Sequence, residues 1–200
     1  VVVAADSGGV LLADANLDEA PASDGDAATL YPWVRVPQEL RGPWIGAPAV
    51  GDVDGDDRPE IVLCAAVDSL GAARTRVFAW HRDGFEVRDL DGDGGTNTGL
   101  FATLAGTPLP PLLYDFDADG KQDAVIARRD TSGALQLTVF FQDAAGDWSA
   151  REASLGAGER WTGGPVAVQL SRGNSGASRA LAWSVADSVT GVHGVRFWRP

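Results

Sequence analysis

Apolar and polar positions alternate in short bursts along this chain and never settle into a helical period. "EIVLCAAV" from Glu60 is followed by a Gly-containing turn and then by "TRVFAWH". The same order returns as "DAVIARR" and "LQLTVFFQ", and again as "RALAWSV" and "GVRFWRP". Aliphatic and β-branched runs bounded by Gly, Asp and Asn predict β-strands joined by tight turns. A shorter strand is predicted after two of these pairs, at "FEVRDL" and "DWSAREA". "VVVAAD", "GGVLLAD" and "YPWVRVP" place three more strands in the first segment. The expected class is all-β.

The strand pattern belongs to a repeat. "WIGAPAVGDVDGD" begins at Trp44 and "WTGGPVAVQLSRGNSG" at Trp161, sharing Trp-x-Gly-x-Pro, and "LAGTPLPPLLYDFDADG" from Leu104 keeps the Gly and Pro. These starts lie near sixty residues apart. Four short antiparallel strands per unit describe a blade of a β-propeller. The expected units are a partial blade over 1–43, blades over 44–103 and 104–160, and a partial blade over 161–200. Propellers have about four to eight blades, so the expectation is part of a larger ring, with further blades from the parent chain or another subunit.

Composition narrows the partners. A net charge of −12 and a pI near 4.4 exclude a nucleic-acid backbone as the natural counterpart and favour a cation. The one cysteine, Cys64, lies inside an apolar run and reads as a small buried hydrophobe. No apolar stretch is long enough to span a bilayer, so no membrane span is expected in this chain.

The cation has an evident place. In "GDVDGDDRPE", Asp52, Asp54 and Asp56 alternate, followed by Arg58 and Glu60. In "YDFDADGKQD", Asp115, Asp117 and Asp119 are followed by Lys121 and Asp123. Alternating carboxylates at positions 1, 3 and 5, the backbone carbonyl of Arg58 or Lys121 at position 7 and an acid at position 9 suit Ca²⁺, which takes six to eight oxygen ligands. Position 6 needs a positive φ, which Gly120 permits and Asp57 tolerates. Solvated acidic turns are the competing explanation. They do not account for the acid at the ninth position of both copies.

Two weaker acidic stretches are candidate ion sites: Asp89, Asp91, Asp93 and Asn97 in "DLDGDGGTN", and Asp14, Asn16 and Asp18 in "DANLDEA". The unit from Trp161 places Gln169, Ser171 and Gly173 where the others carry aspartates, and is expected to hold no ion.

"VGDVDGDDRPEIVL" and "LYDFDADGKQDAVI" resemble the FG-GAP or VCBS repeat, found in the propeller head of integrin α subunits, in bacterial surface and secreted proteins, in fungal lectins and in polysaccharide lyases. The resemblance covers about Trp44 to Phe141. It implies a structural calcium ion held by Asp52, Asp54, Asp56 and Glu60, and a second held by Asp115, Asp117, Asp119 and Asp123. Asp57 departs from the usual Gly.

The function expected from these features is a non-enzymatic, calcium-stabilised module, secreted or at the cell surface, that serves adhesion, ligand binding or assembly with a protein or glycan ligand. Two alternatives are a polysaccharide-active enzyme and a carbohydrate-binding lectin. His81 and His193 read as exposed residues at strand ends. Trp33, Trp148 and Trp161 lie near strand ends where a sugar could stack, whereas Trp80, Trp183 and Trp198 read as packing residues.

Overall fold

The structure is a computed structural model that describes residues 2–5, 9–12, 33–35, 43, 45–57, 59–69, 72–81, 100–154, 159–171 and 177–200. These residues form antiparallel sheets and contain no helix and no closed barrel. The order along the chain is β1 (Val2–Ala5), β2 (Gly9–Leu12), β3 (Trp33–Arg35), β4 (Ala49–Gly51), β5 (Glu60–Ser69), β6 (Ala72–His81), β7 (Leu100–Ala105), β8 (Thr107–Pro108), β9 (Leu112–Tyr114), β10 (Asp123–Arg129), β11 (Leu135–Gln142), β12 (Trp148–Ser154), β13 (Glu159–Ser171), β14 (Ala177–Asp187) and β15 (His193–Trp198).

Consecutive strands pair, except that β8 and β9 both pair with β10, giving four sheets: β1 to β3, β4 to β7, β8 to β12 and β13 to β15. "DAVIARR" and "LQLTVFFQ" coincide with β10 and β11. The last strand of the second sheet is "LFATLA", Leu100–Ala105. It runs past the Leu104 start expected for the third unit, and "FEVRDL" lies outside the described residues.

Prolines near the start of the second, third and fourth sheets interrupt or shift the first pairing, because proline cannot donate to a ladder. In the second sheet, Pro43 and Ile45 bond to β5 (Ile45 N to Cys64 O, 2.9 Å; Ala66 N to Pro43 O, 3.0 Å), the chain swings out around Pro48, and β4 resumes the pairing. In the third sheet Pro108 pairs with Arg128 inside β8, and the two prolines that follow, Pro110 and Pro111, separate β8 from β9, both of which pair with β10. In the fourth, β13 stays continuous and takes up Pro165 in register shifts between Trp161 and Val166.

Two cores join the second, third and fourth sheets. Val62 and Cys64 of β5, Val77 and Ala79 of β6, Val53 and Phe101 meet Ala124, Ile126 and Phe140 of the third sheet. From the opposite face of the third sheet, Val125, Ala127, Leu137, Val139 and Phe141 meet Leu181, Trp183 and Val185 of β14. Neighbours on a strand point to opposite faces and both faces of the third sheet are covered, which is why Ala124, Val125, Ile126 and Ala127 of β10 form an unbroken apolar run. Each fully buried Leu, Ile or Phe contributes about 1.5 to 3 kcal/mol. Beyond β14, Val166, Val195 and Phe197 are more than half exposed.

Both cores also claim tryptophans expected near the surface. Trp148 packs on the first core, with its ring 4.9 Å from that of Phe101, edge to face. Trp161 packs on the second, under the Arg129 guanidinium at 4.6 Å. Trp183 and Trp198 belong to the same core, as expected. The side chains of Trp33 and Trp80 lie outside the description. His193 is exposed and opens β15.

Candidate metal centre

The two acidic loops connect β4 to β5 and β9 to β10, each leading into a long central strand of its sheet. The first aspartate organises each loop by accepting backbone N–H groups. Asp52 Oδ1 accepts from Gly55 N at 2.6 Å and its Oδ2 from Asp57 N at 3.0 Å. Asp115 does the same with Ala118 N at 2.6 Å and Gly120 N at 3.3 Å. The third position repeats too: Asp54 Oδ1 accepts from Asp56 N and Asp117 Oδ1 from Asp119 N, both at 3.2 Å.

The ninth position closes the loop from inside the sheet. Glu60 is fully buried and accepts from Val53 N at 2.7 Å, and Asp123, 4% exposed, accepts from Phe116 N at 2.7 Å. Glu and Asp thus bind the same backbone site in the two copies, although one has the longer side chain. The outcome is two triads, Asp52 with Asp54 and Glu60, and Asp115 with Asp117 and Asp123, each with carboxylate oxygens within 4.8 Å of one another.

The winding requires two left-handed residues per loop. Position 6 is one, with φ +64° at Asp57 and +97° at Gly120, as the sequence leads one to expect. Position 4 is the other, with φ +81° at Gly55 and +69° at Ala118. Each copy therefore has glycine at one of these positions and a residue with a Cβ at the other. Sequence reading missed the fourth position because Ala gives no signal of a positive φ.

Burial and like charge set the electrostatics. Asp123 is pushed up to about 7, first by burial and then by Asp117, Asp119 and Asp115 nearby, against the opposing Phe116 N–H. Acidic turns elsewhere behave in the opposite way. Asp130 is held below the ordinary carboxylate range, chiefly by the Ser132 hydroxyl, and Asp187 by donors from Thr190. Each of those is a single carboxylate capping a hairpin turn, with Gly133 or Gly191 at positive φ. The triads gather more negative charge than a turn needs, and a cation relieves that repulsion.

The donor set is all oxygen and fits a hard cation. Asp52, Asp54, Glu60, Asp115, Asp117 and Asp123 are the residues brought together. Asp56 and Asp119 are exposed and stand outside the two triads, and Asp119 Oδ1 accepts from Lys121 N at 2.8 Å. The Lys121 side chain runs along Gly55 and donates from Nζ to Asp143 O at 2.9 Å. Arg58, Asp89, Asp91, Asp93, Asn97, Asp14, Asn16 and Asp18 lie outside the described residues. In the fourth sheet β13 runs on as strand through Gln169 to Ser171, where the second and third sheets turn into the loop.

Each described loop is also tied to the following repeat through the carbonyl of its first aspartate. Asp52 O accepts from Gln122 N at 2.7 Å, and Asp115 O accepts from Arg179 Nη1 at 2.6 Å. Sequence reading missed Arg179, because its partner lies in another repeat. No protein family, no curated protein and no solved structure matches this chain.

Proposed function

We propose that the chain is a calcium-stabilised β-propeller module, acting at the cell surface or after secretion in adhesion, ligand binding or assembly, without catalysis of its own. The observation that carries this reading is the recurrence of one loop in two repeats, with the same backbone hydrogen bonds and a carboxylate triad closed by a buried acid. Calcium is favoured over magnesium because the loops offer several carboxylates in a flexible setting, whereas Mg²⁺ prefers to keep its waters. Extracellular modules bind calcium with dissociation constants of roughly 0.1 to 1 mM, which matches surroundings richer in calcium than a cytosol. The face-to-face order of the sheets supports blades of one propeller, and the exposed Val166, Val195 and Phe197 support a further sheet from the parent chain or another subunit.

The test is thermal unfolding of the chain in EDTA and across a calcium titration, with Asp54→Ala and Asp117→Ala beside it. Calcium is expected to raise Tm, and each substitution to remove part of the rise. A Tm indifferent to calcium in the unsubstituted chain would refute the reading.

A further inference from the structure

We propose that Arg179 is a cation built into the 115–123 loop that competes with a bound ion for Asp115, so that filling this loop and holding β14 against it oppose each other. The inference rests on the calcium reading above and concerns how one of its two sites is regulated.

Arg179 lies on β14, in the sheet after the one that carries the loop. Its Nη1 is 2.6 Å from Asp115 O and 2.6 Å from Asp115 Oδ1, and its guanidinium carbon stands 5.9 Å from the Tyr114 ring. The same strand position pairs in register with Gln169, the first residue of the copy that has lost its aspartates. The repeat with the altered motif thus presents a positive charge to its predecessor.

Arg179 does not complete the site. Asp123, 4% exposed, accepts a hydrogen bond at Oδ2 from Phe116 N and closes the loop from inside the sheet. One of its oxygens lies within 4.8 Å of oxygens from Asp115 and Asp117. Three carboxylates gathered this closely repel one another, and a second cation beside Arg179 relieves that repulsion. A divalent ion drawing on Asp115 would share that carboxylate with the guanidinium, and the two positive charges repel at short range. Linkage is reciprocal: whatever Arg179 takes from the affinity of the loop, the ion takes from the hold of Arg179.

The experiment is calorimetric calcium titration of the whole chain carrying Asp54→Asn, which leaves the 115–123 loop to report, alone and with Arg179→Gln or Arg179→Lys. Gln removes the charge and is expected to tighten the dissociation constant by on the order of tenfold. Lys keeps the charge and is expected to leave it near the starting value, an outcome that a packing role for Arg179 would not give. Calcium binding in all three with no tightening by Gln would overturn the inference and leave the calcium reading standing; no binding in any would overturn both. A second measurement needs no substitution at Arg179. Amide hydrogen exchange over residues 179–181 is expected to quicken when calcium fills the loop, and unchanged or slower exchange would overturn the proposal.

Discussion

Gly55 and Ala118 occupy the same place in two equivalent loops and hold nearly the same left-handed backbone, with φ of +81° and +69°, although only one of them is glycine. A left-handed residue with a Cβ is about 1 to 2 kcal/mol less favourable than a right-handed one. Ala118→Gly is therefore expected to stabilise the chain by roughly 0.5 to 1 kcal/mol, after the extra chain entropy of glycine is subtracted. Urea unfolding would show this as a higher midpoint at unchanged slope. Gly55→Ala is expected to do the reverse and to cost more, since a Cβ there meets the Lys121 side chain at 3.0 Å.

Gly46 and Gly133 separate strain from packing. Both have positive φ, +75° and +82°, but a Cβ on Gly46 runs into the ring of Pro110 in the next sheet, whereas Gly133 has nothing within 4 Å. Gly133→Ala is expected to cost about 1 kcal/mol, the backbone term alone. Gly46→Ala adds an overpacking cost of about 1 to 3 kcal/mol, read as the difference between the two unfolding free energies.

Asp123 makes stability depend on pH in a direction that calcium reverses. Its folded value, about 7, lies above the unfolded value near 3.8, so between these the folded chain holds the extra proton. Stability without the ion is then expected to fall as pH rises through that window. The ion needs the carboxylate, so the Tm difference between calcium and EDTA is expected to widen from pH 5 to 8. Asp123→Asn is expected to flatten the EDTA profile and to shrink the difference at every pH.

Arg128 is buried, bonded through Nη1 to Thr138 Oγ1 and through Nη2 to Glu152 Oε1 at 2.9 Å, while its Nε has no partner among the described residues. Thr138→Val leaves a second buried guanidinium nitrogen short of an acceptor, at an expected cost of about 1 to 3 kcal/mol. Arg128→Met removes the buried guanidinium together with its demands and is expected to cost less, because an ion pair to the exposed Glu152 contributes little net stability. Denaturant unfolding of the two variants side by side checks the order.

Cys64 is fully buried, and burial pushes its thiol up to about 12. It is expected to resist a thiol reagent at pH 8 in the folded chain and to react at the rate of unfolding, so its modification rate measures opening of the first core.

The strands were legible in the sequence because their cause is local. A run such as "DAVIARR" cannot form an amphipathic helix, and its apolar density signals burial on both faces, which β10 shows between two cores. The carboxylate triads were legible for a similar reason, since a nine-residue loop brings its own first, third and ninth residues together without help from elsewhere. What depended on other repeats was not legible. Trp148 and Trp161 look like strand-end residues until the neighbouring sheets supply the surfaces that cover them. Ala118 gives no hint of its left-handed backbone, because Asp115 imposes that conformation by drawing in the N–H groups of the loop. Arg179 and Asp115 meet only because β14 packs against the third sheet, a contact between residues far apart in the chain that no local pattern encodes. Local hydrophobic alternation and loop spacing determined which strands and which acidic loops exist; the packing of one sheet on the next decided which side chains are buried, which backbone is strained and which charge faces the carboxylates.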